Sequence, residues 1–328
     1  MARTRYAPDR GLAARMTATM FLLGLVFVAF VALIIGIGAA THASDAAIAF
    51  FAIVLGGGGA FLSLFFSDKI ALAAAGAREV TPQQAPELHG IVDRLCALAD
   101  MDKPRVAIAP TAMPNAFATG RNSKNSVLCV TEGMLRRTGD PNRDLTREEL
   151  EGVLAHELSH VAHKDVQVMT IASFLAIVAG LMVRFAFYSE LFGGGRRNNN
   201  DQNAALMMFA IMAVSVVVYA ISFLLIRLLS RYRELSADRS GALLTGQPSA
   251  LKSALIKVSG GMNLIPTKDL RASEPMNAFF FAPAMKLGSD GRPAGGGLSR
   301  IFSTHPTLER RIQELDKIQQ QLGRVSPE

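Results

Sequence analysis

Four long apolar runs decide most of what this chain can fold into. Residues 16–40, 46–66, 166–188 and 204–229 are each long enough to cross a hydrocarbon layer, which takes about 20 residues of helix. The first run carries no charge, and the fourth carries none before Arg227. The second contains the glycines Gly56 to Gly59, which are tolerated where membrane helices pack closely. The third holds Arg184 near its far end, where a long side chain can reach the interface. Half of the 328 residues are hydrophobic and the mean hydropathy is +0.28, both high for a chain that stays in water. The first run is too long for a cleaved signal core and a second follows after a short loop, so the pair reads as a retained helical hairpin.

Basic residues set the expected orientation. Arg3, Arg5, Arg10 and Arg15 precede the first run, Lys69 and Arg78 follow the second, and Arg227, Arg231 and Arg233 end the fourth. The loop at 41–45 has no Arg or Lys, and the Gly- and Asn-rich loop at 189–203 holds only Arg196 and Arg197. This bias places both termini and the large polar segments in the cytoplasm. The net charge is +7, but the basic residues flank apolar runs rather than forming a nucleic-acid footprint, so no nucleic-acid partner is expected. Cys96 and Cys129 lie in apolar surroundings without ligand spacing and read as reduced core residues. The organisation that follows is a hairpin over 1–66, a polar segment over 67–165, a second hairpin over 166–229 and a second polar segment over 230–328. A hairpin returns the chain to the face it left, so the two polar segments share one compartment and can build one site.

Residues 152–165 read GVLAHELSHVAHKD. Before them, Thr146 and Glu149 form a capping box, with Glu148 also in the first turn. Leu150, Val153, Leu154, Leu158 and Val161 recur at helical spacing. His156 and His160 therefore stand one turn apart on one helix face, the spacing that lets two imidazoles hold one zinc ion. Glu157 projects beside them as a candidate general base. A catalytic zinc site needs a third protein ligand and an open position. The fourth run ends in LLSRYRELSADRSG, which offers Glu234 as third ligand and, one turn on, Asp238 as hydrogen-bond partner to a ligating histidine. By itself this spacing also suits a solvated acidic pair beside Arg233 and Arg239.

These residues together resemble the HtpX-type membrane zinc metalloproteases, relatives of the eukaryotic CaaX-processing protease. The likeness covers nearly the whole chain. It includes His156-Glu157-x-x-His160, Glu234-Leu-Ser-Ala-Asp238, NAFATGR at 115–121, TEGML at 131–135, Asp165 soon after the zinc helix, and STHP at 303–306. His163 is a departure, since relatives often carry another polar residue there; it reads as a surface residue. The resemblance implies one Zn²⁺ per chain, His156, His160 and Glu234 as its ligands, and Asp238 and Asp165 as outer partners. It also implies proteolysis at the cytoplasmic face of the bacterial inner membrane, with damaged or misfolded membrane proteins as polypeptide substrates. The expected fold is an α+β membrane protein. It has a mostly helical, gluzincin-type metalloprotease domain with a small β-sheet, and about four transmembrane helices in two hairpins.

Peptide hydrolysis also needs an oxyanion stabiliser besides the metal. His305 is the candidate. Pro306 suits a first helical turn, and Leu308, Ile312, Leu315 and Leu322 mark an amphipathic helix after it, although a helix-capping or surface histidine reads almost as well. Residues 105–109 and 126–130 read as short strands, with 115–121 between them as a third. An extended substrate can add to a sheet edge through main-chain bonds, which makes Asn115, Ala116, Phe117 and Ala118 candidates for substrate binding. A purely structural sheet is the alternative. Residues 266–299, rich in Gly, Pro, Ala and Met, are a candidate lid or bilayer contact.

Two rivals remain. An intramembrane protease would bury its motif in a span, but Glu148, Glu149, Glu151, Lys164 and Asp165 surround this one. A non-catalytic zinc-binding scaffold or sensor would keep His156, His160 and Glu234 but would have no need of Glu157.

Overall fold

The structure, a computed structural model, describes residues 10–40, 58–193, 201–272, 280–283 and 303–325. In chain order its elements are α1 (Arg10–Ala40), α2 (Gly58–Ala75), β1 (Arg78–Glu79), α3 (Pro86–Ala99), β2 (Arg105–Ala109), β3 (Ala116–Gly120), β4 (Ser126–Thr131), α4 (Glu132–Leu135), α5 (Arg147–Ala162), α6 (Asp165–Gly193), α7 (Asp201–Thr245), α8 (Pro248–Met262), α9 (Thr267–Ala272) and α10 (Leu308–Val325). The chain divides into two units. The first comprises Met1–Ala14, Phe65–Val166 and Ser230–Glu328, and the second Arg15–Leu64 and Gln167–Leu229.

In the first unit the strands form one mixed sheet in the order β1-β2-β4-β3. β2 and β4 run parallel, with Val106 opposite Leu128, while β3 pairs antiparallel with β4, with Ala118 opposite Leu128. β3 is therefore an edge. The three strands expected from sequence are present; β1, only two residues long and both of them charged, carries no readable pattern. Gly120 closes β3 with φ of 138°, and a Cβ there would meet Asn125 O at 2.2 Å, so the turn into β4 requires glycine. Cys96 and Cys129 are buried and free. Burial pushes their thiols up to about 11 and about 12 respectively, which leaves them unreactive.

The helix α5 begins on the expected capping box. Thr146 accepts from Glu149 N–H, and Glu149 Oε2 accepts from Thr146 N–H at 2.7 Å. Lys257 on α8 donates to the same Oε2 at 2.8 Å, which ties the helix start to its neighbour. Leu150, Val153, Leu154 and Leu158 are buried in the core of this unit. α7 crosses α5 so closely at Gly241 that an added Cβ would lie 2.8 Å from His156 N and 3.0 Å from its Cα. Backbone cannot swing aside as a side chain can, and overpacking of this kind costs about 1–3 kcal/mol. Gly241→Ala should therefore lower the melting temperature and move His156. A variant that melts with wild-type protein would mean that the helices can part at no cost.

In the second unit Leu23 and Phe30 of α1, Ala172, Val178 and Ala179 of α6, and Val218 and Leu229 of α7 form the core. Phe21, Leu25 and Val28 on α1, Ile171 on α6, and Phe209, Val216 and Val217 on α7 are exposed. Large apolar side chains facing outward over whole helices are the pattern of a membrane protein. Among the described residues, Arg10–Phe30 and Phe209–Thr245 are long and apolar enough to cross a membrane, by length and composition. A third span arises only if Arg147–Ala162 and Asp165–Gly180, bent by 55°, are taken together. The second of the four apolar runs lies largely outside the described residues; its end enters α2. Of the 266–299 loop, α9 and residues 280–283 are described, and the rest lies outside them.

Candidate metal centre and active site

Helical spacing on α5 brings His156 Nε2 and His160 Nε2 to 3.2 Å from one another. α7 supplies Glu234, with Oε1 at 3.6 Å from His160 Nε2 and Oε2 at 3.8 Å from His156 Nε2. These ligand atoms all lie within 4.8 Å of one another. A tetrahedral zinc ion with bonds of about 2.0–2.1 Å separates its ligand atoms by roughly 3.3 Å, so the three groups fit that ion. Two imidazole nitrogens this close can each give a lone pair to one cation between them.

Each ligand is itself held. His156 Nδ1 lies 3.0 Å from Asp238 Oδ1, and His160 Nδ1 lies 2.5 Å from Asp165 Oδ2. Both contacts turn the Nε2 atoms toward the common centre, as metal-binding histidines require. Arg233 Nε backs Asp165 at 3.0 Å. Burial pushes the His156 imidazole down to about 4 against the opposing pull of Asp238, so the ring is held neutral, the form that binds metal. Burial alone would raise Glu234, but His305, His160 and Arg311 outweigh it and hold the carboxyl well below the usual range. Asp238 is likewise kept ionised, burial being outweighed by Arg311.

Glu157 is buried beside this centre. Its Oε2 accepts from Ala118 N–H at 3.0 Å, while Oε1 has no hydrogen-bond partner among the described residues. Burial, and then the charge of Glu234, push its carboxyl well above the ordinary value. A carboxylate anchored by one oxygen, with the other unpartnered among the described residues and its proton affinity raised, suits proton transfer.

His305 is buried, and its Nδ1 lies 3.1 Å from Glu234 Oε2. That nitrogen holds the carboxylate and does not face an oxyanion. His163, expected at the surface, is half-buried at the end of α5 with Nε2 3.3 Å from Ser240 Oγ. Of the expected substrate-binding residues, only Ala118 stands directly at Glu157. Asn115 is fully buried and its side chain binds the main chain of Ala282, Ala116 O accepts from Phe281 N–H, and Phe117 is packed in the core.

Arg311 and Phe281 complete the site and were not anticipated. Arg311 Nε and Nη2 grip Asp238 Oδ2 and Oδ1 at 2.7 and 2.6 Å, and Nη1 donates to Phe281 O at 2.7 Å. The Phe281 ring stands edge-on to His156, with centroids 5.1 Å apart and planes at 83°. A readable signal existed for Arg311. It falls three residues after Leu308 and four before Leu315, on the apolar stripe of α10, where a buried guanidinium must have an acidic partner.

Residues 82–319 match the model of peptidase family M48. The chain is 54% identical over 321 residues to a protease HtpX homolog of Streptomyces coelicolor, covering 98% of this chain and 97% of that relative. It is 47% identical to a protease HtpX homolog of Moorella thermoacetica, covering 98% of each. Among solved structures, that of S. mikatae Ste24p is similar with a TM-score of 0.41 and 20% identity, over 69% of this chain and 49% of that one.

Proposed function

Because this chain belongs to peptidase family M48, among its HtpX-type members, and is therefore a membrane metalloendopeptidase, we propose that it works with one zinc ion held by His156, His160 and Glu234. The observation that carries this reading is the gathering of those three ligand atoms within 4.8 Å, with Glu157 beside them. Zinc, when bound, supplies a Lewis acid that lowers the pKa of water and polarises a carbonyl. The rest belongs to the chain. Glu157 takes the proton of the attacking water and passes it to the leaving amine, while Ala118 N–H fixes its other oxygen. Asp238 and Asp165 hold the two imidazoles in the orientation and tautomer that ligation needs. His305 steadies Glu234 through Nδ1, so any role of this residue at a developing oxyanion belongs to its other ring nitrogen.

The four apolar runs form two hairpins, and the domain built from 67–165 and 230–328 faces the cytoplasm of a bacterial inner membrane. Arg- and Lys-rich flanks at 3–15, 69–78 and 227–233 support this orientation. Damaged or misfolded membrane proteins are the substrates that such a site meets first. Cysteines placed at Ser44 and Asn199 should react with an impermeant label from outside the cell, and one at Ser67 should not; the reverse pattern overturns the orientation. Proteolysis itself is tested by purifying the chain in detergent with chelator and adding zinc back. Casein cleavage should appear with zinc and vanish with chelator. A zinc-loaded chain that cleaves nothing overturns the reading.

A further inference from the structure

Phe281 and Ala282 are far in sequence from β3, yet they line its outer edge. Phe281 N–H donates to Ala116 O at 3.0 Å. Asn115 treats Ala282 as a neighbouring strand would: Nδ2 donates to Ala282 O at 3.0 Å, and Oδ1 accepts from Ala282 N–H at 3.4 Å. With Arg311 on Phe281 O, all four main-chain polar groups of these two residues are held by the wall of the site. That is how an extended peptide is held when it adds to a sheet edge. The Phe281 side chain fills a pocket made by the His156 ring and the Arg311 guanidinium, the latter 5.1 Å from the ring centroid.

We propose that this pocket receives a large apolar side chain of the polypeptide substrate beside the cleaved bond, and that Phe281 is its resident occupant, which substrate must displace. The inference rests on the proteolytic reading above. Position supports it. Ala116 and Ala118 are two residues apart, roughly 7 Å along a strand. Because Ala118 N–H is bound to Glu157, a residue paired with Ala116 O stands next to whatever lies level with the general base. Chemistry supports it as well. Asn115 and Ala116 contact main chain and read no side chain, whereas the Phe281 pocket reads size and apolarity. Selection at one position, with backbone contacts beside it, suits a protease of many substrates. A tethered occupant competes at an effective concentration that reaches the millimolar range for short tethers, so it raises the apparent KM without touching the chemistry.

The test uses the full zinc-loaded chain in detergent and two quenched fluorogenic peptides, one with a central Phe among small residues and one with Asp in its place. Phe281→Ala keeps the main chain and empties the pocket. KM for the Phe peptide should fall about tenfold, as expected when a tethered competitor is removed. The Asp peptide should stay poor in both proteins. Blocked Phe-Phe-Ala-Pro should inhibit the variant competitively, and at lower concentration than the wild type. An unchanged or higher KM in a variant that keeps its metal and melting temperature overturns the proposal. Should the variant not fold, the casein fragments made by the wild type decide: large apolar residues enriched beside the cuts support the pocket, and a flat profile overturns it. If the wild type cleaves neither peptides nor casein, the proteolytic reading has failed first.

Discussion

Glu157→Gln should keep its metal and lose roughly 10³–10⁴-fold in kcat, the upper part of the range for a general base. The geometry explains why the two properties separate. Glu157 is not among the three gathered ligand groups, so its replacement leaves His156, His160 and Glu234 intact. Glutamine also retains an oxygen that can accept from Ala118 N–H, so the edge strand keeps its anchor to α5. What goes is the carboxylate oxygen that has no hydrogen-bond partner among the described residues and could accept a proton. Removing a carboxyl that Glu234 repels should, if anything, relieve the ligand beside it. Metal content by atomic emission, a thermal melt and casein turnover on one preparation separate the alternatives. Loss of zinc together with activity would make Glu157 part of the metal site. Wild-type turnover in the zinc-dependent assay would move the base elsewhere, with His163 or His305 next to test.

Local chemistry made one half of this site legible before any coordinates. The capping box at Thr146, the i, i+4 histidines and the apolar stripe of α5 are interactions within a few residues of one another, and they appear as expected. Glu234 and Asp238 were legible from their spacing as candidates, and the resemblance strengthened them, because an acidic pair at helical spacing has many ordinary uses; the structure brings both against α5. What escaped is long-range. Asn115 and Ala116 read as open edge groups, and they are held by Phe281 and Ala282, more than a hundred residues away. His305 reads either as an oxyanion donor from its place before Pro306 or as a capping or surface histidine, and the contact of its Nδ1 with the buried Glu234 carboxylate shows in no sequence pattern. Arg311 lies among other charged residues of α10, and only its register on the apolar stripe separates it from the solvated arginine beside it. The described parts of the apolar runs were legible as helices, but whether a run crosses a membrane is a property of the surroundings as much as of the sequence.

Glu234→Gln should weaken zinc binding by more than the roughly 10–100-fold that loss of an outer partner brings, because a charged ligand becomes a poor neutral one. Asp238→Asn should stay within that smaller range: the amide can still meet His156 Nδ1, but it offers Arg311 one acceptor where the carboxylate offers two. The ordering matters because both residues are buried carboxylates on one face of α7, and a purely structural acidic pair would show no difference between them. Glu234 also faces His305 at 3.1 Å and Arg311 at 3.8 Å, so its replacement leaves buried positive charge less compensated and should lower the melting temperature of the metal-free form as well. Zinc should then raise the wild-type melting temperature, through binding to the folded state, and raise that of the Glu234 variant little. Competition with a chromophoric chelator gives the affinities, and melts with and without zinc give the linkage. Full affinity and a full zinc-induced shift in Glu234→Gln would mean that another residue completes the site. Equal losses in the two variants would mean that Glu234 acts only on the ligands and not on the metal.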